Sequence, residues 1–197
     1  MNTWSITRRA AGLAVLAAAL AGGPARAAAP AQAAACSQPS YSVSQPYIGL
    51  GDTNWYTLAP GQAAGGFDGI GWTLTGGARV LTTTLADGST GTVLDLPAGS
   101  TAVSPQMCVN STFPTGRLTM RQAANGPGLK VYVAYTGAGG KAQSSGALVG
   151  GSTWGVSRAF QLHASNLVSW TEAQYTFAGQ KGGAQLYAFY VDPHVHW

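Results

Sequence analysis

Charge is the scarcest resource in this chain. Only 8% of its 197 residues are Asp, Glu, Lys or Arg, and Glu172 is the only glutamate. Glycoside hydrolysis normally places two carboxyl groups at a defined separation across the scissile bond, so Glu172 would need an aspartate partner. Asp87 precedes Gly88 in a turn, and Asp52 lies in a Gly-Asp-Thr loop. In such places a carboxylate accepts hydrogen bonds from its own backbone. Asp95 alternates with Val93 and Leu94 in a strand pattern that suits pairing with an arginine. His163 is the one histidine inside the fold, and no Gly-x-Ser-x-Gly elbow accompanies it. Glu172 itself falls on the face of Gln174 and Thr176, opposite Ala173, Tyr175 and Phe177, which places it on a solvated sheet surface. The inventory argues against an enzyme.

Further absences narrow the class. Arg79, Arg117, Arg121, Lys130, Lys141, Arg158 and Lys181 are scattered singly, so there is no basic stripe to follow a phosphate backbone and nucleic acid is not an expected partner. No apolar run reaches the ~20 residues that a bilayer core requires, so a membrane-spanning helix is not expected. The uncharged apolar stretch Ala10 to Ala21 follows Arg8 and Arg9 and precedes Ala25-Arg26-Ala27. This is the order of an export signal: a positive start, a short apolar stretch, a small-x-small cleavage pattern. Residues 1–35 are read as a signal peptide with an Ala/Pro-rich cleavage region, exported by either the twin-arginine or the general route. Residues 36–197 are read as one extracellular domain. Of the ten basic residues, seven lie beyond Ala35, against six acidic ones, so the domain is nearly neutral.

Cysteine is the last scarcity. Cys36 and Cys108 are the only two, and an even count in an oxidising compartment predicts one disulfide. The rival reading, Cys36 as a lipidated residue, is disfavoured by Ala33 and by an apolar stretch that ends far upstream.

Helical periodicity is missing after Cys36, while two-residue alternation recurs between Gly, Asn, Asp and Pro turns. The domain is therefore expected to be all-β, an antiparallel sandwich or barrel of eight or more short strands. Arg117–Arg121 and Leu129–Tyr135, separated by Asn125-Gly126-Pro127-Gly128, are expected to pair as a hairpin, with Leu129, Val131, Val133 and Tyr135 inward. Other strands are predicted near Trp55 to Leu58, Gly71 to Thr75, Ala78 to Leu85, Thr92 to Leu96, Met107 to Val109, Trp154 to Leu162, Trp170 to Phe177 and Ala184 to Val191. The last carries large side chains on both faces, as a central strand does.

Several runs carry a likeness. Asn54 to Gly61, Phe67 to Ala78, Val93 to Ser100, Ser104 to Val109 and Phe189 to Pro193 resemble a family of secreted actinobacterial-type proteins of unknown function. More distantly, the order of strands and turns is similar to galactose-binding-like jelly rolls, which include many carbohydrate-binding modules. That resemblance implies a jelly-roll sandwich and, weakly, a sugar ligand. It also implies a structural Ca²⁺ near the beginning and end of the sandwich, to which Asp192 with Asp52 or Asp68 would lend oxygens; no other cofactor is expected.

Aromatic residues supply the remaining candidates. Five tryptophans follow the signal, Trp55, Trp72, Trp154, Trp170 and Trp197, and sugar rings pack their C–H faces flat on such side chains. Trp72, among glycines, reads as a core or corner residue. Tyr132 points outward on an alternating strand beside Lys130, and Tyr187 and Phe189 are expected to extend that face on a neighbouring strand. Asp192, His194 and His196 alternate in the C-terminal tail, a spacing open to a metal ion; a mobile tail is the simpler reading. The expectation is thus a secreted, non-catalytic binding module for a glycan or cell-wall polysaccharide. A self-assembling structural protein of the envelope or matrix is the alternative, and a glycan-active hydrolase comes third.

Overall fold

The computed structural model describes Cys36 and residues 40–63, 65–110, 115–122, 126–135, 143–148, 151–161 and 170–193. Along the chain the strands are β1 Thr57–Leu58, β2 Gln62–Ala63, β3 Gly66–Phe67, β4 Thr73–Thr75, β5 Arg79–Thr84, β6 Thr90–Leu96, β7 Thr101–Val103 and β8 Met107–Asn110. There follow β9 Thr115–Arg121, β10 Leu129–Tyr135, β11 Gln143–Leu148, β12 Gly155–Val156, β13 Phe160–Gln161, β14 Trp170–Gly179 and β15 Ala184–Asp192. No helix among the described residues is long and apolar enough to cross a membrane.

Two sheets form. The first runs β12-β9-β15-β6-β3-β2, with β5 on β6, β13 on β9 and β1 on β15; the second runs β11-β10-β14-β7-β4, with β8 on β14. Their inner faces make one core: Leu94, Leu96, Leu118, Met120, Leu186 and Phe189 of the first meet Val131, Val133, Tyr175 and Phe177 of the second. Phe189 is the hub, with ring centroids 4.9 Å from Tyr175 and 5.0 Å from Phe177, both edge-on. Edge-to-face rings of this kind add to what their burial alone contributes. The all-β sandwich expected from the alternation is the observed architecture.

Each sheet is organised around one long strand. Strand β14 pairs with β10 along one edge, and with β8 and then β7 along the other. Strand β15 repeats the scheme in the first sheet, with β9 on one side and β6 and β1 in succession on the other. The two central strands follow each other in sequence, and the turn between them carries the chain from sheet to sheet.

The hairpin expected between Arg117–Arg121 and Leu129–Tyr135 does not form. Strand β9 pairs with β15 and β12, whereas β10 pairs with β14 and β11 in the opposite sheet. Alternation identifies which face of a strand is buried and leaves its edge partner open. The connecting segment is instead bonded to the other crossing turn: Gln180 N–H donates to Gly128 O (3.0 Å) and Gly182 N–H to Pro127 O (2.9 Å). Thus both crossings lie side by side at one end. The single strand expected over Trp154 to Leu162 is replaced by the two short strands β12 and β13, while β2, β3, β7 and β11 had no sequence counterpart.

Cys36 and Cys108 form the expected disulfide, with a Cα–Cα distance of 5.7 Å. Cys108 lies in β8 opposite Glu172 of β14, so the bridge fastens the N-terminal segment directly beside a central strand. The Tyr41 hydroxyl donates to Cys108 O (2.8 Å) and supports the same attachment.

Candidate functional site

The outward face of the second sheet carries Lys130 and Tyr132 on β10, as expected, with Lys130 Nζ 5.1 Å from the centre of the Tyr132 ring. Tyr132 lies opposite Thr176 on one side and Ser144 on the other. Glu172, Gln174 and Thr176 share this solvent-facing side, and Ala173, Tyr175 and Phe177 the buried one, as the alternation of β14 requires. Tyr187 and Phe189 are not part of it. Both belong to β15 in the other sheet, and Phe189 is wholly buried in the core. The aromatic face proposed from sequence therefore separates into two unrelated surfaces.

Within β15, Tyr187 and Phe189 are themselves parted by a β-bulge. Pairing with β9 shifts between Leu186, opposite Met120, and Ala188, opposite Thr119. One extra residue on the bulged strand breaks the two-residue alternation. Leu186, Phe189 and Val191 consequently enter the core cluster, while Tyr187, Ala188 and Tyr190 lie outside it. Strict alternation would have placed Tyr187 with Phe189 and Val191.

Tyr187, Ala188 and Tyr190, with Thr119 of β9, floor a groove of about 410 Å³ on the outer face of the first sheet. This falls within the ~300–1,000 Å³ of ligand clefts. One wall is the loop bearing Pro46, Tyr47 and Leu50; the other sides are Leu85 to Asp87 and the pair Trp154 and Val156. Trp154 is half-buried, and its indole N–H donates to Thr84 O (3.0 Å).

The loop wall is pinned from beneath. Arg117 Nε lies 2.8 Å from Asp52 Oδ2, with both side chains largely buried. The Tyr56 hydroxyl donates to the same carboxylate oxygen (2.9 Å), and the Arg117 guanidinium carbon sits 5.2 Å from the centre of the Tyr47 ring. Tyr47 also meets Tyr56 and Tyr190 edge-on at 5.3 and 5.6 Å. A paired buried charge is costly to break, because either partner alone would be left uncompensated. The wall is therefore preorganised. Burial holds the Tyr47 and Tyr190 phenols above their ordinary range, so both stay neutral, and the Tyr47 hydroxyl itself is shielded from solvent.

Asp87 is the one carboxylate along the lining, and it is fully exposed. Its carboxyl is held below the usual range by the Ser89 hydroxyl and backbone N–H. General-acid chemistry needs a carboxyl displaced upward, the opposite of the shift at Asp87; the described lining otherwise offers aromatic faces and hydroxyls. Asp52 is occupied by Arg117 and Tyr56, Asp68 accepts from the Ile70 N–H (2.8 Å), and Asp95 pairs with Arg79 at 2.8 Å. Asp192 is buried at the end of β15 opposite Thr115; His194 and His196 lie outside the described residues. Among the described residues no group of three or more His, Cys, Asp or Glu is placed to hold a metal ion. Trp72 is in the core, donating to Pro60 O (2.7 Å).

Tyr47 and Tyr190 were not singled out by sequence as site residues, and Trp154 entered only as one of five tryptophans. The usable signal was local: a strand with bulky residues on both faces invites a bulge, and Trp154 sits in a Gly-rich stretch where an indole is not required for packing.

No protein-family model and no curated protein matches the chain. Among solved structures, a xylan-binding domain from Paenibacillus barcinonensis is similar at 14% identity and a TM-score of 0.43, covering 64% of this chain and 88% of that one. A family 6 carbohydrate-binding module from Clostridium cellulolyticum, in complex with xylose, aligns at 15% identity and a TM-score of 0.40, over 58% of this chain and 87% of its own. A module from Clostridium stercorarium, in complex with cellobiose, gives 13% and 0.40, over 70% and 92%. Likeness at this level assigns neither a ligand nor a site.

Proposed function

We propose that this chain is a secreted, non-catalytic module that binds a glycan, of the cell-wall polysaccharide class, through the groove on the first sheet. The observation that carries the reading is the convergence of Trp154, Tyr187 and Tyr190 on one preorganised cleft, where Asp87, the one carboxylate among the described lining residues, is exposed. Aromatic rings offer flat apolar faces to the C–H surfaces of a pyranose, and the phenolic and Thr119 hydroxyls offer directional bonds to its hydroxyls. The disulfide and the signal-like N-terminus support export. Structural Ca²⁺ remains part of the proposal only through the jelly-roll resemblance.

The test is retention of the purified domain by a panel of insoluble polysaccharides, together with affinity electrophoresis. Trp154→Ala and Tyr187→Ala are each expected to weaken retention by about 2 kcal/mol, the scale of an aromatic anchor at the centre of an interface, while Tyr132→Ala leaves it unchanged. Loss in Tyr132→Ala alone would move the site to the second sheet. No retention on any polysaccharide would end the glycan reading.

A further inference from the structure

The outer face of the first sheet carries a polar ladder that crosses four strands and ends at the groove. Arg79 of β5 pairs with Asp95 of β6 (2.8 Å), and Asp95 Oδ1 accepts from Gln185 Nε2 of β15 (3.0 Å). Gln185 Oε1 in turn accepts from Arg121 Nε of β9 (2.8 Å), and a second guanidinium nitrogen of Arg121 donates to Thr83 Oγ1 of β5 (2.9 Å). The guanidinium carbon, fixed by those two bonds, lies 4.7 Å from the centre of the Trp154 ring. Trp154 itself precedes β12 and has one further tether, the bond from its indole N–H to Thr84 O.

We infer that Arg121 is a positioning residue for the groove: it holds the Trp154 ring in the orientation that a ligand meets, and the ladder holds Arg121. The inference rests on the proposed glycan-binding reading for its consequence, but not for its geometry. A planar guanidinium can bond sideways to Gln185 and Thr83 while presenting its face to an indole, which an ammonium cannot do. An indole carried on a Gly-rich stretch without that plate would sample several rotamers, and ordering it on binding would lower affinity. The alternative, that Arg121 merely screens a surface tryptophan, leaves binding independent of the guanidinium.

The experiment uses the domain labelled with 5-fluorotryptophan, the Trp154 resonance being identified by its loss in Trp154→Phe. Arg121→Met is expected to shift and broaden that ¹⁹F resonance while the other tryptophan resonances stay in place. Arg121→Lys, which keeps the charge and loses the fork, should restore it only in part. In titrations with soluble oligosaccharides from whichever polysaccharide retains the domain, Arg121→Met should weaken binding about 5- to 10-fold. In a Trp154→Ala background, the same change should have no further effect. A Trp154 resonance unmoved by Arg121→Met, or losses that multiply in the double variant, overturns the inference. If no oligosaccharide binds the parent domain, the glycan reading fails, and the resonance alone decides whether Arg121 positions Trp154.

Discussion

Gly91 controls how closely the groove's floor and wall approach each other. It is a buried residue of β6, and a Cβ there would lie 2.6 Å from Leu85 Cδ1 and 3.4 Å from Tyr187 Cε2, both of them groove-lining side chains. The obstructed atom is the tip of a leucine half open to solvent, so the collision is relieved by moving Leu85 rather than by unfolding the strand. Gly91→Ala should therefore cost little stability, within the ~1 kcal/mol typical of tolerated changes, and yet narrow the cleft. A thermal melt nearly superimposable on the parent's, together with retention reduced several-fold on polysaccharide, is the expected pair of results. A severe drop in melting temperature would show that Gly91 is needed for the strand itself.

At the level of elements, the bulge in β15 separates two aromatic residues that sit only two positions apart. Phe189 packs at the centre of the core and Tyr187 lines the outer groove. Truncation should reflect this: Phe189→Ala is expected to cost about 3–5 kcal/mol, as large-to-small core changes do, and Tyr187→Ala no more than about 1 kcal/mol. Denaturant titrations with matched m-values would check both, and similar losses at the two sites would contradict the bulge. The same element marks the limit of what the sequence disclosed. Alternation in Leu129–Tyr135 and Trp170–Phe177 identified the buried faces correctly because those strands are regular. It could not assign edge partners, so β9 and β10 read as a hairpin, and it could not anticipate one extra residue in β15, so Tyr187 and Phe189 read as neighbours. The groove depends on that extra residue and on a loop pinned by Asp52 and Arg117, a pair 65 positions apart in sequence. Contacts at such range leave no local pattern.

Taken whole, the molecule shields six of its eight tyrosines from water well enough to shift their phenols. Burial raises the phenols of Tyr41, Tyr47, Tyr135, Tyr175 and Tyr190 above their ordinary value of 10.0, and that of Tyr56 to about 12. Because the folded state favours the neutral form, the unfolded chain loses these protons first as pH rises, and each gives up stability in the folded state's disfavour. The contribution is complete below pH about 10 and is lost as pH climbs through the folded values, from 10 to 12 and beyond. The melting temperature should accordingly be flat near neutrality and fall steeply above pH about 10. Phenolate absorbance should rise in step with unfolding, ahead of which only the more exposed tyrosines titrate. A melting temperature unchanged up to pH 12 would show that these rings are not shielded.

The succession of β14 and β15 bears on how the chain can be assembled. Both sheets are organised around strands drawn from residues 170–192, so until that segment emerges, β6, β7, β8, β9 and β10 lack the neighbour that completes them. Local pairings such as β5 with β6 or β10 with β11 can form earlier, but two-stranded ribbons are barely stable in water. Nearly every pairing that closes the sandwich joins distant positions, and such topologies fold slowly. A nascent chain would therefore leave both sheets open until residues 170–192 are free to take their central places.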